Sequence, residues 1–465
     1  MKTEQGSPYP KHGISNDASG KRIPFWGGYI VNLANEAPVA DYIYGHQKFN
    51  EFLPRYLKEN TDWNYFDASL FDTWLSALKW FVPNNDTSNI DLDYDGVADG
   101  SSMVDSRWSA GKETLITNLR NQTGKPVIPF EGGENFMNGN GFEFWTQETT
   151  ASRSWNMSRS LDLLSNAVAP QFDYANSEAG LSDGDYFGPI FRADFTSAQI
   201  ASNFFGHDEG TMAHRWTYLH DEYEANLGNS TTGASQIESG LWIKYFDNGV
   251  LIANISGSTK TITAGQLTGG PYYRFRGAQN PGFNNGSQFS SVTLAGVDGI
   301  MLLKQPLTLI TPIVIDNRPK NMTSLGQNPA SYSGSWSQVS VSSRSGYYLA
   351  TGWGENSEPY AKTTNVGAAA TYTPQINIAG DYEVFEWHPD TSADSQGNGC
   401  TNMSVNIYYS GNSTTKLINQ TVGAGKWNSL GTYNFDATSN ERVVMTAGSG
   451  CTTVSDAFRW VYRGN

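Results

Sequence analysis

The feature that most constrains the fold is a change of pattern near residue 240. Before it, short apolar segments alternate with longer amphipathic ones, which predicts an α/β arrangement with mostly parallel strands. After it, short strand-like segments follow one another, and Asp247-Asn248-Gly249 between two apolar runs is a strong hairpin signal. No helical periodicity follows Ile315, and strand signals between turn residues are typical of a β-sandwich. The pattern therefore predicts a multidomain chain, α/β first and all-β afterwards.

Four regions follow from this pattern. We expect a polar N-terminal tail at 1–21, an α/β domain at 22–238, a small all-β companion domain at 239–306 and a β-sandwich at 313–465. In the α/β region the predicted strands are Ile23–Leu33, Trp63–Asp72, Pro126–Phe130, Gly141–Trp145, Pro170–Tyr174 and Tyr186–Phe191. The predicted helices are Tyr42–Asn60, Ala110–Thr123, Ser154–Val168 and Ala198–Asn226.

The composition excludes several classes of partner. The chain carries 45 acidic and 30 basic residues, a net charge of −15, so neither nucleic acid nor an anionic membrane is an expected partner. No apolar run approaches the ~18 residues that a membrane span needs, so we expect no membrane insertion. Charged residues make up 16% of the chain, against roughly 25% in an ordinary soluble protein. A surface of Ser, Thr, Asn, Gly and Tyr is typical of extracellular β-rich proteins.

The two cysteines lie in matching contexts late in the chain. Cys400 and Cys451 each follow Gly-x-Gly and precede Thr. They are either a buried pair of thiols or a disulfide. We favour the disulfide because the rest of the chain has the composition of an exported protein. This interpretation predicts a secreted or cell-surface location.

An acidic segment has the spacing of a calcium loop. Asp91, Asp93 and Asp95 alternate, a glycine follows, and Asp99 stands at the ninth position. The glutamate expected at position 12 is replaced by Ser102, and Asp105 lies a little farther on. The alternatives are a structural Ca²⁺ site and a solvated acidic turn closed by its own side-chain hydrogen bonds.

Acidic residues also lie at or near the ends of predicted strands. Asp72 ends WNYFDASLFD, Glu131 follows the apolar run PVIPF, and Glu143 lies between aromatic residues in NGFEFW. Carboxylates at the carboxyl ends of parallel strands are what glycoside cleavage uses, one as acid and one ionised. Each of the three taken alone is better explained as a surface or structural carboxylate, but the occurrence of all three at predicted strand ends favours a catalytic set. The candidate sugar-stacking rings, for which core packing is the alternative, are Tyr29, Trp74, Trp108 and Trp145.

Residues 23–305 resemble the glycoside-hydrolase-like TIM-barrel families. The resemblance rests on WNYFDASLFDTW, on the acidic segment DLDYDGVADG, on PVIPFEGG and NGFEFW, and on GLWIKYFDNGVLIANIS in the companion domain. It implies a (β/α)8-type barrel, in which Asp67 and Asp72 match the aspartates of the first motif and Glu143 the glutamate of the last. Glu131 replaces the family's asparagine. The α/β region contains only about six strand signals against eight in a barrel, so the first one or two βα units are expected to be missing.

The tail resembles the golvesin C-terminal-like domain, found at the ends of secreted polysaccharide lyases, hydrolases and esterases. The matching segments include IDN at 315–317, GSW at 334–336, ATYTP at 370–374, AGDYEVFEW at 379–387 and SDAFRW at 455–460. The resemblance implies a β-sandwich that serves as an accessory binding or adhesion module, without known catalytic residues.

Two functions follow as hypotheses. The first is an extracellular glycoside hydrolase acting on a polysaccharide, with Asp72 as nucleophile or base, Glu143 as general acid and Glu131 adjusting their pKa values. The second is a non-catalytic fibre, sheath or adhesin subunit, or a carbohydrate-binding protein, built on a degenerate barrel. A homo-oligomer or filament would fit the second. In both, the expected partner is a polysaccharide or cell-surface glycan.

Overall fold

A computed structural model describes most of the chain, and every structural statement below concerns the residues that it describes. These residues are 15–25, 28–72, 74, 77–130, 134–142, 145, 150–179, 187–209, 219–317, 327–339, 360–389, 399–438 and 440–464. The chain divides into two compact units. The first comprises residues 1–145, 155–176 and 201–205, and the second comprises residues 146–154, 177–200 and 206–465.

The predicted (β/α)8 barrel is wrong. The described residues are mostly β, with four α-helices, and their strands form separate sheets rather than a closed barrel. One physical reason lies at the start of the chain, where the predicted strand Ile23–Leu33 is replaced by two-residue antiparallel strands that cannot extend a parallel sheet. The helices are α1 Phe49–Asn60, α2 Ser101–Thr123, α3 Thr150–Asn166 and α4 Pro189–Ile200.

Two local predictions fail near α4. The segment Tyr186–Phe191 was predicted as a strand, but α4 begins at Pro189. The helix predicted over Ala198–Asn226 ends at Ile200, because Ser202 has a φ of 69°, which a right-handed helix does not allow. A strand over Asn203–Glu209 follows directly.

The first unit contains short antiparallel pairs and a set of parallel strands. β1 pairs with β7, β2 with β3 and β4 with β5, all antiparallel, whereas β6 pairs with β8 and β9 with β10 in parallel. The strands are β1 Asn16–Asp17, β2 Pro24–Phe25, β3 Gly28–Tyr29, β4 Ala40–Tyr42, β5 Gly45–Gln47, β6 Ser69–Phe71, β7 Ile90–Asp91, β8 Val127–Pro129, β9 Gly141–Phe142, β10 Asp173–Ala179 and β11 Asn203–Glu209. β10 and β11 begin in this unit.

Helix α2 is central to the core of the first unit. Its buried side chains include Leu115, Ile116 and Leu119, and it ends at Gly124, whose φ of 69° is the left-handed cap that the sequence predicts. Gly111 lies against the backbone of Leu33, where any Cβ would overlap the carbonyl oxygen. This close approach packs α2 against the segment at Leu33 and Ala34.

The second unit begins with an antiparallel sheet covered by α4. The sheet order is β12-β13-β14-β18, and the predicted hairpin at 247–249 is confirmed between β13 and β14. Gly299 on β18 lets α4 approach closely, and Arg192 on α4 donates to buried Asp298 at 2.9 Å. The strands are β12 Ser235–Glu238, β13 Leu241–Tyr245, β14 Gly249–Asn254, β15 Lys260–Thr263, β16 Arg276–Gly277, β17 Ser291–Leu294, β18 Asp298–Leu303 and β19 Thr308–Leu309.

The predicted C-terminal β-domain is confirmed. Two sheets, β20-β31-β25-β28 and β21-β24-β29-β26-β27, contribute side chains to one buried core that includes Tyr372, Val384, Val405 and Trp460. A third sheet has the order β22-β23-β30. The strands are β20 Ile313–Ile315, β21 Ser331–Ser333, β22 Ser337–Val339, β23 Tyr360–Thr363, β24 Ala369–Tyr372, β25 Gly380–Trp387, β26 Met403–Tyr409, β27 Asn412–Ile418, β28 Asn428–Phe435, β29 Arg442–Thr446, β30 Thr453–Ser455 and β31 Ala457–Gly464.

The disulfide between Cys400 and Cys451 is confirmed, with a Cα–Cα distance of 5.1 Å. It joins the turn before β26 to the turn before β30. The sulfur of Cys400 is fully buried in the sandwich core and lies 3.1 Å from the Thr453 hydroxyl. No helix in the described part of the chain is long and apolar enough to span a membrane.

Candidate functional site

The carboxyl ends of three parallel strands form one edge of the first unit. β6 and β8 pair with Phe71 opposite Pro129. The next residue, Phe130, forms a parallel bridge with Gly141 of β9. The three strands therefore run in the same direction, and their carboxyl ends lie at the same edge.

Each of these three strands leads into one of the predicted catalytic carboxylates. Asp72 directly follows β6, and its side chain is exposed. β8 and its bridge end at Phe130, one residue before Glu131, and β9 ends at Phe142, one residue before Glu143. Glu131 and Glu143 themselves lie outside the described residues. The topology brings together the strands that carry the three residues, and their catalytic roles stay predictions.

A buried ion pair that the sequence analysis missed lies beside this edge. Lys112 of α2 donates to the carboxylate of Glu134, and its ammonium lies 5.4 Å from the centroid of the Trp74 ring. The backbone N–H of Trp74 donates to the backbone carbonyl of Phe130 at 3.2 Å, which links the ion pair to the carboxyl end of β8. Burial lowers the pKa of Lys112, and the charge of Glu134 partly offsets that effect.

One sequence signal could have identified Lys112. It precedes Leu115, Ile116 and Leu119 by three, four and seven residues, so it shares the buried face of α2. A lysine on such a face requires a partner because burying an unpaired charge is costly. The partner, Glu134, lies 22 residues farther along the chain and could not be identified from spacing alone.

Asp173 lies at the amino end of β10, which pairs with β9, and hydrogen bonds hold its carboxylate in place. Its carboxylate accepts hydrogen bonds from the Ser160 hydroxyl at 2.8 Å and from the Asn140 backbone N–H at 2.7 Å. Burial raises the pKa of Asp173 to about 6, and these hydrogen bonds reduce the shift. This network holds the strands in place at the end opposite to the predicted carboxylates. That structural role accounts for Asp173 without a catalytic one.

The acidic loop at 91–99 folds around its own carboxylates. Asp91 accepts from the backbone N–H groups of Tyr94 at 2.7 Å and Gly96 at 2.9 Å. Asp99 accepts from the Leu92 N–H at 2.7 Å. Carboxylate oxygens of Asp91, Asp93 and Asp99 lie within 4.8 Å of one another, a set that contains neither Asp95 nor Asp105. Three oxygen donors at this separation suit a hard cation such as Ca²⁺.

Arg107 supplies positive charge to this loop. Its guanidinium donates to Asp93 at 2.8 Å and also to Asp99. Burial raises the pKa of Asp91. Burial acts in the same direction on Asp93 and is the largest single effect there, but the hydrogen bond and charge of Arg107 and the Asp95 backbone N–H together outweigh it, so the pKa of Asp93 is lowered. A cation bound between these carboxylates would therefore compete with Arg107.

The four candidate stacking rings differ in exposure. Tyr29 is 39% exposed, and Arg22 lies over its ring at 5.4 Å. Trp74, Trp108 and Trp145 are all buried, and Trp108 packs against Phe81. Of the four rings, Tyr29 alone presents substantial surface to solvent.

The sandwich belongs to a recognised class of domain. Residues 321–462 match the Golvesin C-terminal domain, which confirms the resemblance predicted from the tail. The match covers the segment that contains strands β21 to β30 and most of β31.

The chain also shows weak likenesses to solved structures of carbohydrate-active proteins. A Paenibacillus xanthan lyase is 18% identical over 50% of this chain and 25% of its own length, with a TM-score of 0.27. A family 35 carbohydrate-binding module from Clostridium thermocellum is 16% identical over 33% of this chain and 99% of its own, with a TM-score of 0.22. An exo-β-1,3-galactanase from Phanerochaete chrysosporium is 12% identical over 49% and 56%, with a TM-score of 0.21.

These likenesses have limits. The chain spans 25% of the length of the xanthan lyase, and TM-scores this low do not establish a common fold. No curated protein matches the chain at a significant level.

Proposed function

We propose that the protein is an extracellular protein directed at a polysaccharide or cell-surface glycan. The match of residues 321–462 to the Golvesin C-terminal domain is the observation that carries this proposal, because such domains accompany secreted polysaccharide-degrading enzymes. The disulfide supports an oxidising compartment. The net charge of −15 argues against nucleic acid as the partner.

We further propose that the first unit cleaves glycosidic bonds. The supporting observation is that β6, β8 and β9 are neighbours and lead into Asp72, Glu131 and Glu143. Glycoside cleavage needs one carboxyl group that donates a proton to the leaving oxygen and one carboxylate that attacks or activates water. In this assignment Glu143 is the acid, Asp72 is the nucleophile or base, and Glu131 adjusts their pKa values.

Replacing the carboxylates tests the hydrolase assignment. Asp72→Asn and Glu143→Gln should each lower the rate of sugar release by about 100-fold or more, because each removes a proton-transfer or nucleophilic group. Reducing-sugar release from a panel of polysaccharides measures the effect. Asp162→Asn, an exposed carboxylate on α3, is the matched control and should retain the activity of the original protein. Full activity in both site variants would exclude the assignment.

A specific observation favours the non-catalytic alternative. In the described part of the chain β6 pairs with β8 alone. In this parallel register the backbone N–H and C=O of Leu70 point away from β8, to the side of β6 that has no partner strand there. Leu70 is 48% exposed, with Phe66 and Tyr65 at 51% and 82% nearby in the chain. An exposed apolar edge strand is a template for pairing with another chain, as in a fibre or sheath subunit.

Oligomeric state tests this alternative. If β6 pairs between copies, the purified protein should form concentration-dependent oligomers, and Leu70→Lys should shift them to monomer because a charge at the edge opposes pairing. Sedimentation velocity measures the distribution. Val366→Lys places the same charge at an exposed loop residue and should leave it unchanged. A monomer at every concentration would count against assembly through β6.

We also propose that Ca²⁺ stabilises the loop at 91–99. The ligands would come from Asp91, Asp93 and Asp99, whose oxygens already face one another. Saturating Ca²⁺ should then raise the melting temperature of chelator-treated protein, with a gain of about 2.7 kcal/mol at a concentration 100 times the Kd. Arg107→Ala should enlarge this gain because it removes the competing cation, whereas Asp93→Asn should reduce it. An identical melting temperature with Ca²⁺ and with chelator, in both the original protein and Arg107→Ala, would leave the acidic turn as the explanation.

A further inference from the structure

We infer that a cavity in the second unit binds a single neutral pyranose residue, an inference that rests on the proposed glycan-directed function. The cavity has a volume of about 130 Å³. Separate segments line it, which are Phe187, Asp221, Ala278 with Gln279, the connector at 310–313, and Gln327, Gln375 and Asn377 of the sandwich. The cavity thus lies where the companion β-region meets the golvesin-type sandwich.

The floor of the cavity is a fully bonded network. The Asp221 carboxylate accepts hydrogen bonds from the backbone N–H groups of Ala278 at 2.6 Å, Gln279 at 3.0 Å and Thr311 at 2.9 Å, and from the Thr311 hydroxyl at 3.1 Å. The Gln279 side chain accepts from the Asp221 N–H and donates to Leu219 and Thr311. Since the acceptor capacity of Asp221 is used within the protein, this residue fixes the shape of the cavity rather than contacting a ligand.

The rim, in contrast, offers amide groups to a ligand. The Gln327 side chain donates to the Gln375 carbonyl at 3.1 Å and accepts from the Gln375 N–H at 2.6 Å, which holds the backbone of that segment in place. Asn377 donates its Nδ2 to the Ala278 carbonyl at 2.8 Å. Among the described residues, the Gln375 carboxamide makes no hydrogen bond and the Asn377 Oδ1 accepts none. One carboxamide and one further oxygen of the lining residues are therefore available to hydroxyl groups.

The charge of the lining selects against anions. The lining residues, all of them within the described part of the chain, include no Lys, Arg or His, and Asp221 contributes the charge that is present. A phosphate, sulfate or uronate would find no cation to pair with. Amide groups, which both donate and accept, match a neutral polyhydroxylated ligand.

The volume of the cavity and the apolar part of its lining further restrict the class of ligand that fits. A cavity of about 150 Å³ is known to hold one benzene ring, which has six heavy atoms, so about 130 Å³ takes up only part of a hexopyranose. The rest of the sugar would lie at the exposed rim beside Gln375 and Asn377. Phe187, Pro312 and Ile313 supply apolar surface against which the C–H face of a sugar ring can pack. A lining that is mostly apolar with a few directed polar groups is the usual composition of a small-ligand site.

Binding of free monosaccharides to the full chain tests the inference. The probes are D-glucose, D-galactose and D-mannose, with D-glucuronate as the charged counterpart, and the measurement is ligand-observed NMR titration. We expect at least one neutral sugar to bind with a Kd on the order of 1 mM, and glucuronate to bind more weakly. Gln375→Ala and Asn377→Ala should each weaken binding about fivefold, the effect of one lost hydrogen bond. Thr373→Ala, an exposed neighbour outside the lining, is the matched control and should bind as the original protein does.

Several outcomes would overturn the inference. These are no binding of any neutral sugar at tens of millimolar, tighter binding of glucuronate, or equal affinity in the two rim variants and the Thr373→Ala control. Melting temperatures of the variants separate lost binding from lost folding.

The cavity and the carboxylate edge can fail independently. Asp72→Asn should keep sugar binding at the cavity, because Asp72 belongs to the first unit and is not part of the cavity lining. If the original protein releases no sugar from any polysaccharide but binds a neutral monosaccharide at the cavity, the hydrolase assignment alone is rejected. If the original protein releases sugar from a polysaccharide but binds no neutral monosaccharide, the inference about the cavity alone is rejected.

Discussion

Replacing Asp221 by alanine should lower the free energy of unfolding of the second unit by about 4 kcal/mol or more. The substitution leaves four hydrogen-bond donors without their acceptor, three backbone N–H groups and the Thr311 hydroxyl. Each buried donor left unsatisfied costs about 1–3 kcal/mol, and the four losses overlap because they share one acceptor. Thermal unfolding followed by circular dichroism should show a transition that is lower by about 10 °C.

Two further variants locate the cause of this effect. Asp221→Asn keeps the shape of the side chain but turns an NH₂ group toward one pair of donors, so it should be intermediate. Asp381→Ala removes an exposed carboxylate that accepts one hydrogen bond from Asn434, and it should cost less than 1 kcal/mol, as is usual for a surface position. If Asp221→Ala and Asp381→Ala unfold at the same temperature, the network around Asp221 does not hold the second unit together.

The parts of the fold that the sequence predicted correctly are those set by local chemistry. Asp247-Asn248-Gly249 specifies a tight turn, and the hairpin of β13 and β14 follows. Gly124 can adopt a left-handed cap, and α2 ends there. The dense alternation after Ile315 specifies a sandwich. In each case the information lies within a few residues of the element.

The errors arose where the outcome depends on distant partners. Closing a barrel requires strands at both edges of the parallel sheet, and residues 22–47 form short antiparallel pairs instead. The apolar spacing after Ala198 fits a helix, but Ser202 ends the helical conformation and Asn203–Glu209 joins a sheet with β10. A short apolar segment does not reveal by itself whether a strand is available beside it.

The candidate site shows the same division. The positions of Asp72 and Glu131 at strand ends could be predicted because strand ends are visible as apolar runs, whereas Glu143 was expected inside a strand at 141–145 and the strand ends at Phe142. The pairing of Lys112 with Glu134 and the cavity around Asp221 could not. Both depend on side chains that are far apart in the sequence and meet only after folding.

Removing the disulfide should lower the free energy of unfolding of the sandwich by about 4 kcal/mol. The reason is that the crosslink closes a loop with a sequence separation of 51 residues, and in the chain-entropy model a loop of this size restricts the unfolded state by about that amount. Urea unfolding of the Cys400→Ala/Cys451→Ala double variant, compared with the original protein, measures the difference. The double variant avoids leaving one reactive thiol behind.

A reductant separates the crosslink from the packing of the sulfur atoms. Cys400 lies in the buried core, so part of the loss in the double variant comes from the space that the sulfur filled. Dithiothreitol changes only the bond: it should destabilise the original protein and leave the double variant unaffected. The same stability of the original protein with and without reductant would show that the bond contributes nothing. Mass spectrometry of a non-reducing digest of protein isolated from its native surroundings then addresses location, since two free thiols there would remove the support that the disulfide gives to an extracellular location.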